Sequence, residues 1–167
     1  MRKKLLNKQK NYEKLLIGTL AILMILSSCN SKNESKLADF EKEKQQLEAN
    51  KKLVSDMYQE LFGDKNVESI KKYIAEGYIQ HNPAAADGRQ ALIDLTTKWF
   101  QGAPKEKIDI QHIAAEKDLV FIHTKGHMGS KVVSVIDIFR IKDGMIVEHW
   151  DVFQEVPEKS ANSHPMF

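Results

Sequence analysis

The chain has few of the residues that define the common functional sites. It contains a single cysteine, Cys29, in 167 residues, which excludes any internal disulfide and any cysteine-based metal cage. It has no glycine-rich phosphate loop and no serine or cysteine nucleophile motif. His123 and His127 have the look of a metal pair, but four residues along a strand hold them about 13 Å apart. No other His, Cys, Asp or Glu spacing suggests a metal, so neither metal nor cofactor is expected. The longest apolar run, Leu15 to Leu26, would span only about 18 Å as a helix, short of the roughly 30 Å hydrocarbon core. Positive charge is also missing where it would matter. The net +2 comes from the first 28 residues, and the remainder holds 19 basic against 22 acidic residues, a net of −3. A nucleic-acid-binding field is thereby excluded.

What is present begins with a targeting segment. Arg2, Lys3, Lys4, Lys8, Lys10 and Lys14 precede the short apolar run, the pattern of a signal peptide. Leu26-Ser27-Ser28-Cys29 follows and resembles a bacterial lipobox, in which cleavage precedes a cysteine that carries lipid. The expected organisation is a signal peptide over 1–28, a lipid-anchored polar tether or helical extension over 29–46, and one domain over 47–167. The expected location is the bacterial cell envelope, as a membrane-anchored lipoprotein with acyl chains such as palmitate on Cys29.

In the domain, Leu47, Val54, Met57, Tyr58, Leu61 and Phe62 recur at helical spacing, and Gly63 ends the run. A second helix is expected after Asn66, with Val67, Ile70 and Ile74 on one face and Gly77 closing it. Tyr78 to Pro83 is extended, because the residue before a proline avoids the helical region. Asp87 is placed to cap a third helix, with Gln90 completing a capping box and Leu92, Leu95, Thr96 and Trp99 as its stripe. Beyond Pro104 four strands are expected, near 108–115, 119–127, 132–141 and 145–153. Helices first and an antiparallel meander after them give an α+β fold.

The stretch from Val132 to Phe153 concentrates the chemistry. Val133, Val135, Asp137, Phe139 and Ile141 share one face of a strand, and four of the five are bulky hydrophobes. Asp137 is therefore buried among them. A valine there would stabilise by about 1.5–3 kcal/mol, whereas an unpaired buried carboxylate costs several. Two hairpin registers are open. A two-residue turn at Asp143-Gly144 pairs Asp137 with Trp150 and sets Glu148 beside it. A type I turn at Lys142-Asp143, with Gly144 as a left-handed bulge, pairs Asp137 with His149. The second is favoured, because Asp and Gly then sit where their backbone preferences place them. His149, Asp151 and Phe153 would join Asp137 on the inner face, and Glu148 and Trp150 would face outward, with Trp150 covered by the tail from Val156 to Phe167 or by a partner. A loop centred on Ser130 would set His123 opposite Asp137. A carboxylate fixing an imidazole in an apolar pocket is an acid/base device, although structural pairs of this kind also exist.

Taken together, Tyr78-Ile-Gln-His-Asn-Pro83, Asp87-Gly88, His123, Asp137-Ile-Phe-Arg140 and Asp143-Gly-Met-Ile-Val-Glu-His-Trp-Asp151 resemble the SnoaL-like polyketide cyclase family, within the nuclear-transport-factor-2-like superfamily. The resemblance covers about residues 47–167. It implies a cone-shaped α+β barrel, with three N-terminal helices packed on a curved, mainly antiparallel sheet. It implies Asp137 as the acid/base of an aldol closure, supported by His123, the histidine fourteen residues earlier. In the related ketosteroid isomerases the base lies at the position of Asn82, which cannot take a proton at neutral pH, so isomerase chemistry is doubtful here. Tyr78, His81, Asn82, His149, Asp151 and Trp99 are the expected substrate contacts, with one of His81 and Asn82 facing the pocket and Trp99 more easily explained as a core anchor. A homodimer is common in that superfamily, and Ile136 and Ile138 on the outer face would need cover. Function stays open between an enzyme acting on a small carbonyl compound and a small-ligand-binding module at the membrane surface.

Overall fold

The computed structural model describes residues 34–167. The signal peptide, the lipobox and Cys29 lie outside the described residues. Two units are distinguished, divided between Lys44 and Gln45. The described part of the first, 34–44, is helical and exposed. No helix among the described residues is long and apolar enough to cross a membrane.

In the second unit a helix over residues 45–57 (α1) is followed by a wide π-helical turn over Tyr58–Gly63. Val54, Met57 and Leu61 carry its apolar stripe into the core, each at most 1% exposed. Burial of side chains of this size stabilises by about 1.5–3 kcal/mol each. The wide turn closes with the Asp64 N–H donating to the Gln59 carbonyl at 2.7 Å. Gly63 is needed there because of crowding, since a Cβ would collide with the Gln59 side chain and lie 2.8 Å from the Glu106 carbonyl.

The second helix is shorter than its periodicity suggests. A 3-10 turn over Val67–Ser69 leads into α2, Ile70–Tyr73, and Ile74 is already extended at φ −103° and ψ 130°. Asn66 supplies no side-chain cap. Ile74, Gly77 and Tyr78 all belong to β1, Ile74–Gln80, which pairs in parallel with the last strand, Met145–Glu155. Ile74 is buried in either geometry, so its apolarity could not reveal which one the chain adopts. The third helix, α3, spans Arg89–Trp99 and is preceded by Gly88 at φ 93°. The expected capping box does not form. Asp87 Oδ1 instead accepts the Gln80 backbone N–H at 2.7 Å, and Gln90 reaches Asp94.

Four antiparallel strands complete the sheet: β2 Asp109–Glu116, β3 Leu119–Met128, β4 Lys131–Lys142 and β5 Met145–Glu155. The order is β1-β5-β4-β3-β2, an open sheet with helical segments on its inner face. The α+β class with three helical segments before a mainly antiparallel sheet is thus observed. Val120, Ile122, Phe139, Ile141 and Ile146 meet Val54, Leu61, Ile70 and Leu92 in one core.

Both hairpin turns are tighter than expected, and both change the register. At the β4–β5 turn Asp143 and Gly144 have φ of 51° and 73°, the signature of a two-residue type I′ turn, and Lys142 pairs with Met145. A bulge then intervenes. Ile141 faces Ile146 but Arg140 faces Glu148, so Val147 is the extra residue and Asp137 ends opposite Asp151. The expected Asp137–His149 backbone pairing is therefore displaced by two residues. An even displacement preserves the face of every side chain, so His149 and Asp151 still share the inner face with Asp137. At the β3–β4 turn the two residues are Gly129 and Ser130, with Met128 paired to Lys131. Ile122, not His123, then lies opposite Asp137. A displacement of one residue sends His123 to the outer face.

Candidate active site

Asp137 is the centre of the buried polar groups. Its β4 neighbours Val133, Phe139 and Ile141 are core residues, and it is itself only 6% exposed. Its carboxylate is satisfied from two directions. His149 Nε2 lies 2.8 Å from Oδ1, and the Tyr58 hydroxyl donates to Oδ2. Burial, and then the adjacent Asp137 charge, raise the pKa of Tyr58 well above the ordinary tyrosine value, which keeps its hydroxyl protonated and donating. The Thr124 side chain, on β3, acts weakly in the opposite direction. Tyr58 is brought in by the first residue of the π turn and is packed edge-on against Phe139.

His149 is held on three sides. Its ring stacks on Phe139 at 4.7 Å between centroids and lies parallel to Tyr78 at 6.4 Å. Its Nδ1 meets Gln80 Oε1 at 3.0 Å, a contact that follows from the register, since Gln80 and His149 are neighbours in the parallel β1–β5 pair. Gln80 Oε1 also accepts the Asn82 backbone N–H at 2.9 Å, and its amide nitrogen donates to the Tyr78 hydroxyl at 3.1 Å. Burial raises the Tyr78 pKa above its ordinary value, with the Asp137 and Asp151 charges adding to it.

Asp151 completes the site. Asn82 Nδ2 donates to Asp151 Oδ2 at 2.7 Å, while Asn82 Oδ1 accepts the Ala84 N–H at 2.8 Å and so fixes which way the amide points. Asp151 Oδ1 is buried with no hydrogen-bond partner among the described residues. Ligand-capable atoms of Asp137, His149 and Asp151 lie within 4.8 Å of one another. Within this cluster His149 and Asp137 are hydrogen-bonded to each other.

Among the residues expected from sequence, Asp137, His149, Asp151, Asn82 and Tyr78 are therefore gathered in one place. Three are not. His123 bonds Ser134 Oγ at 2.8 Å on the outer face and lies between the rings of His112 and Phe167. The one-residue change at the β3–β4 turn accounts for it. His81 also faces outward, because consecutive residues of an extended segment alternate and Asn82 takes the inward position. It bonds Glu148 at 2.8 Å and stacks on Trp150 at 4.6 Å. Arg140 covers the Trp150 ring and bonds Glu148, so Trp150 is shielded by His81 and Arg140, and the C-terminal residue packs against His123 and Lys125 instead. Trp99, at the end of α3, is 58% exposed and is no core anchor.

Tyr58 and Gln80 were missed by sequence reasoning. Tyr58 occupies a core position of a helical stripe, where its ring alone explains it. Its hydroxyl was the available signal, because a buried tyrosine hydroxyl requires a partner. Gln80 offers a weaker one: two residues on from the buried Tyr78, it shares that face of the extended segment.

A family model for the SnoaL-like polyketide cyclases matches residues 52–160. No curated protein matches the chain. Solved structures with the same fold include an NTF-2 like protein of unknown function from Burkholderia xenovorans, at 14% identity and TM-score 0.57, covering 68% of this chain and 89% of that one. An epoxide hydrolase from M. tuberculosis described as LEH-like matches at 16% identity and TM-score 0.53, covering 65% and 85%. TsrD from Streptomyces laurentii matches at 18% identity and TM-score 0.52, covering 63% and 87%.

Proposed function

Since this chain belongs to the SnoaL-like polyketide cyclase family, we propose that its inner face carries out cofactor-free acid/base chemistry on a small carbonyl compound, of the aldol or isomerisation type. The reading rests on one observation: a carboxyl group buried in an apolar core, bonded at one oxygen by His149 and at the other by Tyr58. Asp137 exchanges the proton on the carbon next to the carbonyl. His149, in the role that the sequence suggested for His123, stabilises Asp137 as a carboxylate. Tyr58 and Asn82 are the neutral donors nearest to the charge that develops on oxygen. The Leu26-Ser27-Ser28-Cys29 segment adds the proposal that this domain works from a lipid anchor at a membrane surface, which the intact mass of the mature protein would test.

The test of the chemistry is exchange of carbon-bound hydrogen in deuterated water, followed by NMR on a panel of small ketones and β-dicarbonyl compounds. For an accepted compound, Asp137→Asn is expected to lower the enzyme-dependent exchange by about 10²–10⁴-fold, the usual contribution of a positioned acid/base group. Undiminished exchange in that variant would remove Asp137 from the reaction. A second reading, ligand capture without turnover, is favoured by how closed the pair is, with Asp137 6% and His149 9% exposed. It predicts saturable binding with no exchange in the unaltered protein.

A further inference from the structure

Gln80 has four hydrogen-bonding contacts, and only one arrangement of protons satisfies them. The Asn82 backbone N–H can only donate, and it points at the Gln80 side-chain oxygen from 2.9 Å. That contact fixes the amide, with oxygen toward Asn82 and His149 and nitrogen toward the Tyr78 hydroxyl. The reversed amide would set its NH2 group against the Asn82 N–H, donor against donor. A backbone bond from Gln80 to Asp87 Oδ1 and another from His81 to the His149 carbonyl hold the strand in place beneath the side chain. With the amide oxygen facing it at 3.0 Å, His149 Nδ1 must carry a hydrogen.

The consequence is felt at the other ring nitrogen. A neutral imidazole protonated at Nδ1 presents a lone pair at Nε2, and Nε2 lies 2.8 Å from a carboxylate oxygen. Two lone pairs cannot face each other at that distance in a buried site. One proton must lie between them, on Nε2 as an imidazolium beside a carboxylate, or on Oδ1 as a carboxylic acid beside an imidazole. The surrounding groups do not supply it. Tyr58 donates to the other oxygen, Oδ2, and its raised pKa keeps that proton in place. From β1, Tyr78 accepts from Gln80 through its hydroxyl oxygen. From β5, Asp151 accepts from Asn82 at Oδ2 and its Oδ1 bonds to none of the described residues, so it donates to neither member of the pair, and β3 offers only the Thr124 side chain.

We propose that Gln80 is a positioning residue that locks His149 in the Nδ1-protonated form, so that Asp137 and His149 together retain a single transferable proton on the line from Oδ1 to Nε2. The inference deepens the acid/base reading above and rests on it for its functional meaning. With the proton on Nε2, both imidazolium N–H groups have acceptors and Asp137 is ionised without leaving a net charge on the pair. That is the state a buried carboxylate needs in order to act as a base. An Nε2-protonated neutral histidine would instead leave a bare Nδ1 lone pair facing the Gln80 oxygen.

The experiment is long-range 1H–15N correlation NMR on the histidine side chains of the full-length chain, which reports the protonation of each ring nitrogen and needs no substrate. His149 is assigned with a His149→Gln control. In the unaltered protein Nδ1 is expected to be protonated, with no ring protonated at Nε2 alone. Gln80→Glu keeps acceptor oxygens for both Asn82 and Nδ1 and should retain that signature. Gln80→Leu removes them, and the neutral ring should move to the Nε2-protonated form that donates to Asp137. A neutral Nε2-protonated His149 in the unaltered protein or in Gln80→Glu would overturn the proposal. So would a signature unchanged in Gln80→Leu. Should Gln80→Leu fail to fold, the other two spectra decide the matter. The tautomer is read without turnover, so a correct lock together with undiminished exchange in Asp137→Asn would sink the catalytic reading and leave this one intact.

Discussion

The two faces of the sheet use the same kinds of residue to different ends. On the inner face a carboxylate, an imidazole and a phenol, from Asp137, His149 and Tyr58, are bonded to one another inside a hydrophobic core. On the outer face Glu148 bridges His81 and Arg140, and Trp150 is stacked between the two, with His123 and Phe167 packed farther along. The outer cluster is also held by polar contacts, but water competes for each of them. In the core, losing one partner strands the others in a medium that cannot solvate them. The difference teaches that for these histidines the face matters more than the residue type. His149 and His123 lie on β5 and β3, to either side of β4, and only His149 is buried in the core.

The largest expected effect separates the faces directly. Asp137→Ala leaves His149 and Tyr58 without their shared acceptor and should cost about 3–5 kcal/mol in denaturant unfolding, the range for breaking a buried pair from one side. His123→Ala removes a histidine of the outer face and should change stability by no more than about 0.5 kcal/mol. Similar losses in the two variants would abolish the distinction drawn here.

A middle-sized effect tests what keeps the faces apart. Gly144 has φ 73° and open space where a Cβ would be, so a substitution there is penalised by backbone strain and not by collision. Gly144→Val should cost roughly 1–3 kcal/mol, measured as a shift in the denaturation midpoint. Asp137 should keep its His149 contact, because the bulge at Val147 fixes the farther register independently. Loss of that contact, seen as a changed His149 NMR signature, would mean that the turn alone sets the register.

The smallest effect concerns the outer cluster and acid. The hydrogen bond from Arg140, and then that from His81, lowers the pKa of Glu148 below the ordinary glutamate value. A lowered carboxylate pKa contributes stability above the unfolded value near about 4.3 and loses it as pH falls through the folded value. Glu148→Gln should therefore be less stable than the unaltered protein near neutrality, by no more than about 1 kcal/mol for a half-exposed network. The two proteins should converge in acid, followed as denaturation midpoints against pH. A difference that grows on acidification would reverse the sign of the linkage and refute the assignment.

Much of this was legible in the chain itself. Alternation along β4 is enough to bury Asp137, because Val133, Phe139 and Ile141 have no other reason to share its face. Alternation also fixes that only one of His81 and Asn82 points inward. The order of helical and alternating segments is enough for the α+β class. These features depend on local periodicity, and local periodicity is written residue by residue. What surrounds Asp137 was decided only by the tertiary structure. A one-residue difference in the β3–β4 turn exchanged His123 for Ile122, and a bulge at Val147 together with a tighter turn moved the pairing of Asp137 by two residues while leaving its face unchanged. Ile74 shows the same limit in the core, since it is buried whether it ends a helix or begins a strand. Tyr58 arrives from a helix 79 residues away in sequence, aimed by a π turn that no propensity announces, and Gln80 arrives through a parallel pairing with His149, 69 residues away. Sequence separation carries no distance, and side-chain partners follow from the whole count of residues in every turn and bulge between them. The sequence therefore determined that an acid lies in the core, and only the assembled sheet decided which base and which donor it meets.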